Sequence, residues 1–209
     1  MKALVVVGHP APASFNHAIA GTIASTWRAC GCDVSFRDLQ AEGFPPLLTP
    51  EEARGGASVD PLVLAHIAQL RECDLLAVVH PNCWGAPPAI VKGWIDRAFA
   101  QNAAFTFAKG DDHGDVAIGL LKAKAALVIN TGNTPMDRER TVFADPLEHI
   151  WRDCILRFCG VQHVLRSLFG VVATSTPEER RGWLDRTDAL ARRAIEIASE
   201  PTSAGASAA

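Results

Sequence analysis

The sequence of 209 residues contains no tyrosine and no long apolar run, and each absence excludes a class of structure or chemistry. Without tyrosine, no phenol side chain can exchange a proton with a ligand. No apolar stretch reaches the roughly 18 residues that a helix needs to cross a bilayer. The apolar segment at 3–8 is also too short for a secretory signal. We therefore expect a cytoplasmic protein with no membrane insertion.

Neither sign of charge dominates the chain. It carries 20 basic and 23 acidic residues, for a formal net charge of −3, and no basic run stands out. Proteins that bind nucleic acid usually present a concentrated basic patch. We therefore expect no nucleic-acid partner.

Metal-binding patterns are also missing. The six cysteines follow no zinc spacing and are interpreted as small, mostly buried hydrophobic residues of a protein in a reducing compartment. The acidic segment at 111–115 is typical of a solvated turn and implies no fixed metal geometry. We predict no metal site. The cysteines are Cys30, Cys32, Cys73, Cys83, Cys154 and Cys159.

Strand and helix patterns alternate along the chain. Continuous apolar or β-branched runs predict five strands, at 3–7, 33–38, 75–80, 125–130 and 163–169. Helices are predicted between them and after the last strand, at 15–29, 61–71, 89–100, 146–159 and 178–199. This alternation indicates an α/β fold with a doubly wound parallel sheet. We predict one domain over 1–200, and a disordered tail over 201–209 because that segment is small and polar.

Three unusual loops follow strands of the predicted sheet. They lie at 8–14, 81–88 and 131–135 and are rich in glycine, proline, histidine and asparagine. Ligands of doubly wound sheets bind beyond the carboxyl ends of the strands. The three loops therefore predict one shared ligand site.

The first loop leads into a predicted helix that Ser14 would cap. Free backbone N–H groups and the positive end of the helix dipole suit a phosphate, and Ser14, Asn16 and His9 could assist. The loop has neither a Gly-x-Gly-x-x-Gly pattern nor a P-loop lysine, so the dinucleotide and P-loop motifs are excluded. Phosphate binding and an ordinary capped helix both remain open from this loop alone.

Two tryptophans near the second loop have different predicted roles. Trp84 lies in a loop rich in proline, and an aromatic side chain there favours packing against a flat ligand. Trp94 lies on the helix that follows, so we interpret it as a core residue.

The segments 8–16 and 81–99 resemble the NAD(P)H:quinone reductase family, and the similarity extends over about 2–180. The resemblance implies a flavodoxin-like fold with strand order 2-1-3-4-5 and a tightly bound flavin, either FMN or FAD. It also implies that NADH or NADPH reduces the flavin and that a quinone or similar aromatic acceptor is reduced in turn. Family members form homodimers with the flavin at the interface, so we expect a homodimer.

The resemblance also implies the residues that bind the flavin. The turn at the phosphate corresponds to Ser14, Phe15 and Asn16, with His9 beside it. The loop along the isoalloxazine corresponds to Pro81, Asn82, Cys83, Trp84 and Gly85. The turn at the pyrimidine edge corresponds to Thr131, Gly132 and Asn133.

Two departures from the family affect the chemistry. Asn133 stands where the family has a second glycine, which changes the fit of a substrate over the ring. Mammalian members use a tyrosine and a histidine near the flavin, but this chain has no tyrosine, and 169–175, interpreted as the corresponding stretch, contains no histidine. The sequence therefore identifies no catalytic residue.

Several other functions share this fold. The family includes ancillary flavin subunits of potassium efflux systems, and azo- and nitroreductases differ only in their acceptor. A one-electron carrier like flavodoxin is disfavoured because flavodoxins are strongly acidic. FMN is favoured over FAD because no adenosine-binding pattern is found.

Overall fold

The computed structural model describes residues 1–111 and 114–200. Its central strands are formed by the apolar and β-branched runs of the sequence, because a strand buried on both faces needs apolar side chains at consecutive positions. The strands are β1 (Lys2–Val7), β2 (Asp33–Asp38), β3 (Leu75–Pro81), β4 (Phe105–Asp111), β5 (Gly114–Gly119), β6 (Ala125–Thr131) and β7 (His163–Phe169).

Five of these strands form one parallel sheet in the order β2-β1-β3-β6-β7. Strands β4 and β5 pair only with each other, as an antiparallel hairpin between β3 and β6 in the chain. Without this hairpin the order is 2-1-3-4-5, so the predicted fold is confirmed. The carboxyl ends of β1, β3 and β6 are neighbours at one edge of the sheet.

Helices cover both faces of the sheet. They are α1 (Phe15–Ala29), α2 (Pro50–Ala53), α3 (Pro61–Glu72), α4 (Ala89–Ala98), α5 (Met136–Thr141), α6 (Pro146–His149) and α7 (Pro177–Ser199). Because side chains alternate along a strand, neighbouring residues enter different cores. Val5 packs under α1 and α7, whereas Val6 packs on the opposite face with residues of α3 and α4.

Trp94 lies in the core, as predicted. Its side chain is completely buried, and Nε1 donates to Nδ1 of the buried His66 at 3.1 Å. The other ring nitrogen of His66 lies 3.0 Å from Glu42 Oε2. Each polar atom of this buried pair is therefore satisfied, which removes the cost of burying it.

The sequence missed several elements. The β4–β5 hairpin was not predicted because its strands are half-exposed and lack the continuous apolar run that is typical of a buried strand. Helices α2 and α5 were also missed, since each spans little more than one turn. The helix predicted over 146–159 begins as α6 and continues as wider π-helical turns over Ile150–Arg157.

The predicted tail at 201–209 lies outside the described residues, as do 112 and 113 of the acidic turn. Over the ranges 1–111 and 114–200, no helix has both the length and the apolar character that crossing a membrane requires.

Candidate functional site

The three predicted loops meet at the carboxyl edge of the sheet. Two adjoining clefts, of about 360 and 480 Å³, open between them. The smaller is lined by His9, Phe15, Asn16, Pro81, Asn82, Thr131, Gly132, Asn133, Thr134, Val172 and Ala173. The larger, which we call the tryptophan cleft, is lined by Asn82, Trp84, Gly85, Gly132, Asn133, Thr134, Glu139, Phe143 and Pro146.

Ser14 caps α1, as predicted, and contacts a histidine that the sequence analysis did not consider. The Ser14 backbone N–H donates to His17 Nδ1 at 3.2 Å, and the Ser14 hydroxyl lies 2.7 Å from the same nitrogen. Because Nδ1 accepts the N–H, the proton of a neutral His17 is on Nε2, which lies 3.0 Å from Asp38 Oδ2. Through His17, these contacts connect the first loop to Asp38 at the end of β2.

The start of α1 offers unused backbone donors. Within the described part of the chain, no group accepts from the backbone N–H of Phe15 or Asn16. Both residues line the smaller cleft. Two free N–H groups at the positive end of a helix dipole can bind a phosphate oxygen.

Asn16 uses its side chain to connect two loops. Its amide is buried, and Nδ2 donates to the Thr131 hydroxyl at 3.0 Å. This contact joins the start of α1 to the end of β6. Its backbone N–H, rather than its side chain, is the group best placed to meet a ligand.

His9 has one ring nitrogen occupied. The backbone N–H of Ala11 donates to His9 Nδ1 at 3.0 Å, which fixes the ring across the first loop. The ring lies edge-on to His17, with 6.2 Å between their centroids. Among the described residues, no group bonds to Nε2 of His9, which is therefore available at the cleft.

Trp84 adopts an unusual conformation at the tip of the second loop. Cys83 and Ala86 exchange two backbone hydrogen bonds, of 2.9 and 3.0 Å, around a two-residue turn. Both central residues have positive φ, +59° at Trp84 and +74° at Gly85. A bulky residue in this region is strained by about 1–2 kcal/mol. The Trp84 side chain is also fully exposed, at 104%.

Gly85 cannot be replaced without disturbing the cleft. A Cβ atom there would lie 2.7 Å from Cγ of Pro146, in addition to the cost of its positive φ. The turn and the first residue of α6 therefore pack tightly against each other.

Asn82 connects the second loop to the rest of the site. Its Oδ1 accepts from the Gly85 backbone N–H at 2.8 Å, and its Nδ2 donates to Glu139 Oε1 at 2.9 Å. Its own backbone N–H donates to the Thr131 carbonyl at 2.7 Å. One side chain thus fixes both the tryptophan turn and α5.

The third loop is held by the segment that follows β7. The Gly132 N–H donates to Phe169 O at 2.8 Å, and Asn133 Oδ1 accepts from Ala173 N–H at 2.9 Å. In the described part of the chain, the backbone N–H groups of Asn133 and Thr134 have no acceptor. These two groups, rather than Gly132 N–H, are available to a ligand.

Phe15 is placed by an arginine of the last helix. The Arg180 guanidinium lies over the Phe15 ring, 5.7 Å from its centroid, at a distance that permits a cation–π contact. Arg180 Nε also donates to Ser175 Oγ at 2.8 Å. The stretch 169–175 approaches the smaller cleft through Val172 and Ala173, so it contributes no acid–base side chain there.

A buried polar network lies beneath the second loop, around His80. His80 Nδ1 donates to the Pro81 carbonyl at 2.8 Å, and its Nε2 accepts from Trp151 Nε1 at 2.8 Å. Asn130 Nδ2 lies 3.0 Å from the same Nε2. Burial lowers the pKa of His80 to about 4, so the ring is neutral at pH 7. It supports the loop and cannot reach a ligand.

Most of the residues predicted from the sequence line the two clefts. Two do not: Ser14 acts through α1 and His17, and Cys83 contributes its backbone to the tryptophan turn. Burial raises the pKa of the Cys83 thiol, which does not favour a reactive thiolate. The residues that the sequence did not identify as part of the site are His17, Thr134, Glu139, Phe143, Pro146, Val172 and Ala173.

Comparison with known proteins identifies the family. Residues 1–189 match the family described as having a flavodoxin-like fold. The chain belongs to this flavodoxin-like family. The predicted resemblance is thereby confirmed at the level of the family.

Relatives of this flavodoxin-like chain include oxidoreductases. An NAD(P)H oxidoreductase of Haemophilus influenzae, described as uncharacterised, is 30% identical over 190 residues, covering 88% of this chain and 91% of the relative. Human ribosyldihydronicotinamide dehydrogenase [quinone] is 29% identical over 208 residues, covering 87% and 86%. The crystal structure of Smu.1420 from Streptococcus mutans superposes with a TM-score of 0.80 and 28% identity, covering 92% of this chain and 100% of that one.

The neutral state of His80 makes a prediction about pH. The pKa is about 4 in the folded protein and 6.5 in the unfolded chain, so the unfolded chain binds more protons between these values. The stability that His80 contributes is therefore fully present above pH 6.5 and decreases as the pH falls towards 4, by up to roughly 3 kcal/mol.

The matched variant is His80→Gln, which can still donate to Pro81 O and accept from Trp151. Urea denaturation measures the free energy of unfolding near pH 7 and near pH 4. The decrease between these two pH values should be smaller in the variant than in the wild type. Equal losses in the two proteins would contradict this account of His80.

Proposed function

We propose that this flavodoxin-like protein is a flavin-dependent NAD(P)H:quinone oxidoreductase. The observation that carries the proposal is the carboxyl edge itself, where free backbone donors and a strained, exposed tryptophan surround two adjoining clefts. The names of the relatives, an NAD(P)H oxidoreductase and a quinone dehydrogenase, support the same reaction.

The residues present fit a flavin. Its phosphate would meet the free N–H groups of Phe15 and Asn16, with His9 Nε2 at the side. The N–H groups of Asn133 and Thr134 would face the carbonyl-bearing edge of the ring, and Trp84 would cover its plane. When bound, a flavin accepts a hydride from a reduced nicotinamide and passes two electrons to a quinone.

We further propose FMN as the flavin, because the smaller cleft accounts for a phosphate and a ring and no adenosine-binding pattern is found. All six cysteines are unpaired, which fits a reducing compartment, and we propose the cytoplasm. Cell fractionation tests the location. Release of the cofactor and determination of its mass distinguish FMN from FAD.

Flavin titration tests the proposed function. The apoprotein should bind about one FMN per chain and then reduce a quinone with NADH or NADPH. Ser14→Asp should weaken FMN binding far more than Ser14→Ala, because a carboxylate next to the free N–H groups of Phe15 and Asn16 would repel the phosphate, whereas Asp remains a good N-cap. Quenching of flavin fluorescence measures the affinity. A protein that binds neither FMN nor FAD would overturn the proposal.

The two tryptophans should respond differently to truncation. Trp84→Ala removes an exposed side chain, so the free energy of unfolding of the apoprotein should change by no more than about 0.5 kcal/mol. Its FMN affinity should fall by about tenfold through the lost stacking. Trp94→Ala should lower the free energy of unfolding by about 3–5 kcal/mol. Similar behaviour of the two variants in both assays would show that Trp84 is not a ligand residue.

We also propose a homodimer. The hairpin exposes Phe107, Val116 and Ile118, and the nearby Phe158 is also exposed. Val116 and Ile118 pair with Ala108 and Thr106, so they lie on one face of the hairpin, and Phe107 lies on the other. Exposed apolar side chains of this kind commonly mark a protein interface. Sedimentation equilibrium should give twice the chain mass, and Ile118→Glu should reduce it to the chain mass. A monomeric wild type would exclude the dimer.

A further inference from the structure

Glu139 stands out in the tryptophan cleft because of its chemistry. Among the described residues that line this cleft, it is the only one with an ionisable side chain. It lies on α5, which the sequence analysis did not predict. His9 lines the other cleft, and both nitrogens of His80 are occupied.

The two carboxyl oxygens of Glu139 differ in their surroundings. The residue is 3% exposed, and Oε1 accepts from Asn82 Nδ2 at 2.9 Å. No described group bonds to Oε2. Because no fully buried side-chain oxygen among the described residues lacks a partner, Oε2 keeps some exposed surface, and Glu139 lines the tryptophan cleft. One oxygen is thus anchored, and the other has no protein partner among the described residues.

A buried ion pair holds Glu139 in place. The Asp145 backbone N–H donates to the Glu139 carbonyl at 3.0 Å. The Asp145 carboxylate accepts two hydrogen bonds from Arg166, at 2.7 and 2.8 Å, and this bidentate geometry is rigid. Arg166 is buried in turn against Asn130 Oδ1, at 2.8 Å from its Nε. Asp145 therefore fixes the backbone of Glu139, and Asn82 fixes its carboxyl group.

We propose that Glu139 is the catalytic residue that supplies a proton to the acceptor, which is the role that no tyrosine in this chain can fill. The inference rests on the proposed quinone reductase activity. Reduction of a quinone requires two electrons and two protons, of which the hydride equivalent from the nicotinamide supplies both electrons and one proton.

Glu139 would supply the other proton. A hydronium ion of the solvent gives its proton to Oε2, and the O–H bond formed there breaks as an O–H bond forms on the quinone oxygen, which returns the group to a carboxylate. The anchored Oε1 keeps Oε2 directed at the acceptor during the exchange, and the Asn82 hydrogen bond stabilises the charge that remains.

Acceptors that differ in their need for protons provide the test. Glu139→Gln preserves the shape of the side chain and the Asn82 hydrogen bond but cannot release a proton. It should slow reduction of 1,4-benzoquinone by about 10²-fold or more. Reduction of ferricyanide, which takes electrons without protons, should be unchanged. The matched control is Asp137→Asn, an exposed carboxylate of the same helix, which should alter neither rate.

A binding measurement gives a readout that does not depend on turnover. Hydroquinone, the product, should bind the flavin-loaded wild type about fivefold more tightly than the Glu139→Gln variant, because a carboxyl group gains more than an amide from the product hydroxyl. Titration calorimetry measures this difference, and FMN affinity should be the same in both proteins.

The possible failures can be distinguished. A wild type that reduces neither acceptor would overturn the proposed function. A wild type that reduces both acceptors, with an unchanged ratio of the two rates in Glu139→Gln, would overturn the role of Glu139 alone. If that variant does not fold, Glu139→Asp withdraws the carboxyl group by one methylene, and an unchanged ratio there would have the same meaning.

Discussion

The burial of a parallel sheet on both faces is the constraint from which the rest of this structure follows. Strands such as β1, β3 and β6 can be apolar throughout only if helices cover both sides, and covering both sides requires a crossover helix between successive strands. The five strands of this sheet then run in the same direction, and their carboxyl ends lie at one edge. Polar loop residues far apart in sequence become neighbours there.

Within that edge, the site depends on a small number of polar contacts between loops. Asn16 joins the start of α1 to Thr131, and Asn82 joins the tryptophan turn to α5. These asparagines are buried or nearly so, and a buried amide with its partners satisfied fixes the relative position of the groups it connects. The side chains of these two predicted ligand residues therefore connect loops, and both residues line the clefts.

The strain at Trp84 is consistent with this organisation. A fully exposed tryptophan with positive φ gains little from burial and is costly in conformation. Three contacts hold the turn in this conformation. They are the backbone hydrogen bonds between Cys83 and Ala86, the hydrogen bond from Gly85 N–H to Asn82 Oδ1, and the packing of Gly85 on Pro146. Strain that is held by several independent contacts is commonly found where a ligand binds.

The sequence by itself determined the sheet, the main helices and the three loops, because hydrophobic periodicity and capping are local signals. The start of α1 directly after Ser14 and the range of β7 were predictable for this reason. Only the tertiary structure decided what each loop residue does. Glu139 belongs to a short, mostly exposed segment with no apolar pattern, and it enters the cleft through Asp145 and Arg166, which are distant in sequence from one another. Such placement depends on contacts between residues that are far apart in sequence, and no local pattern of residues predicts these contacts.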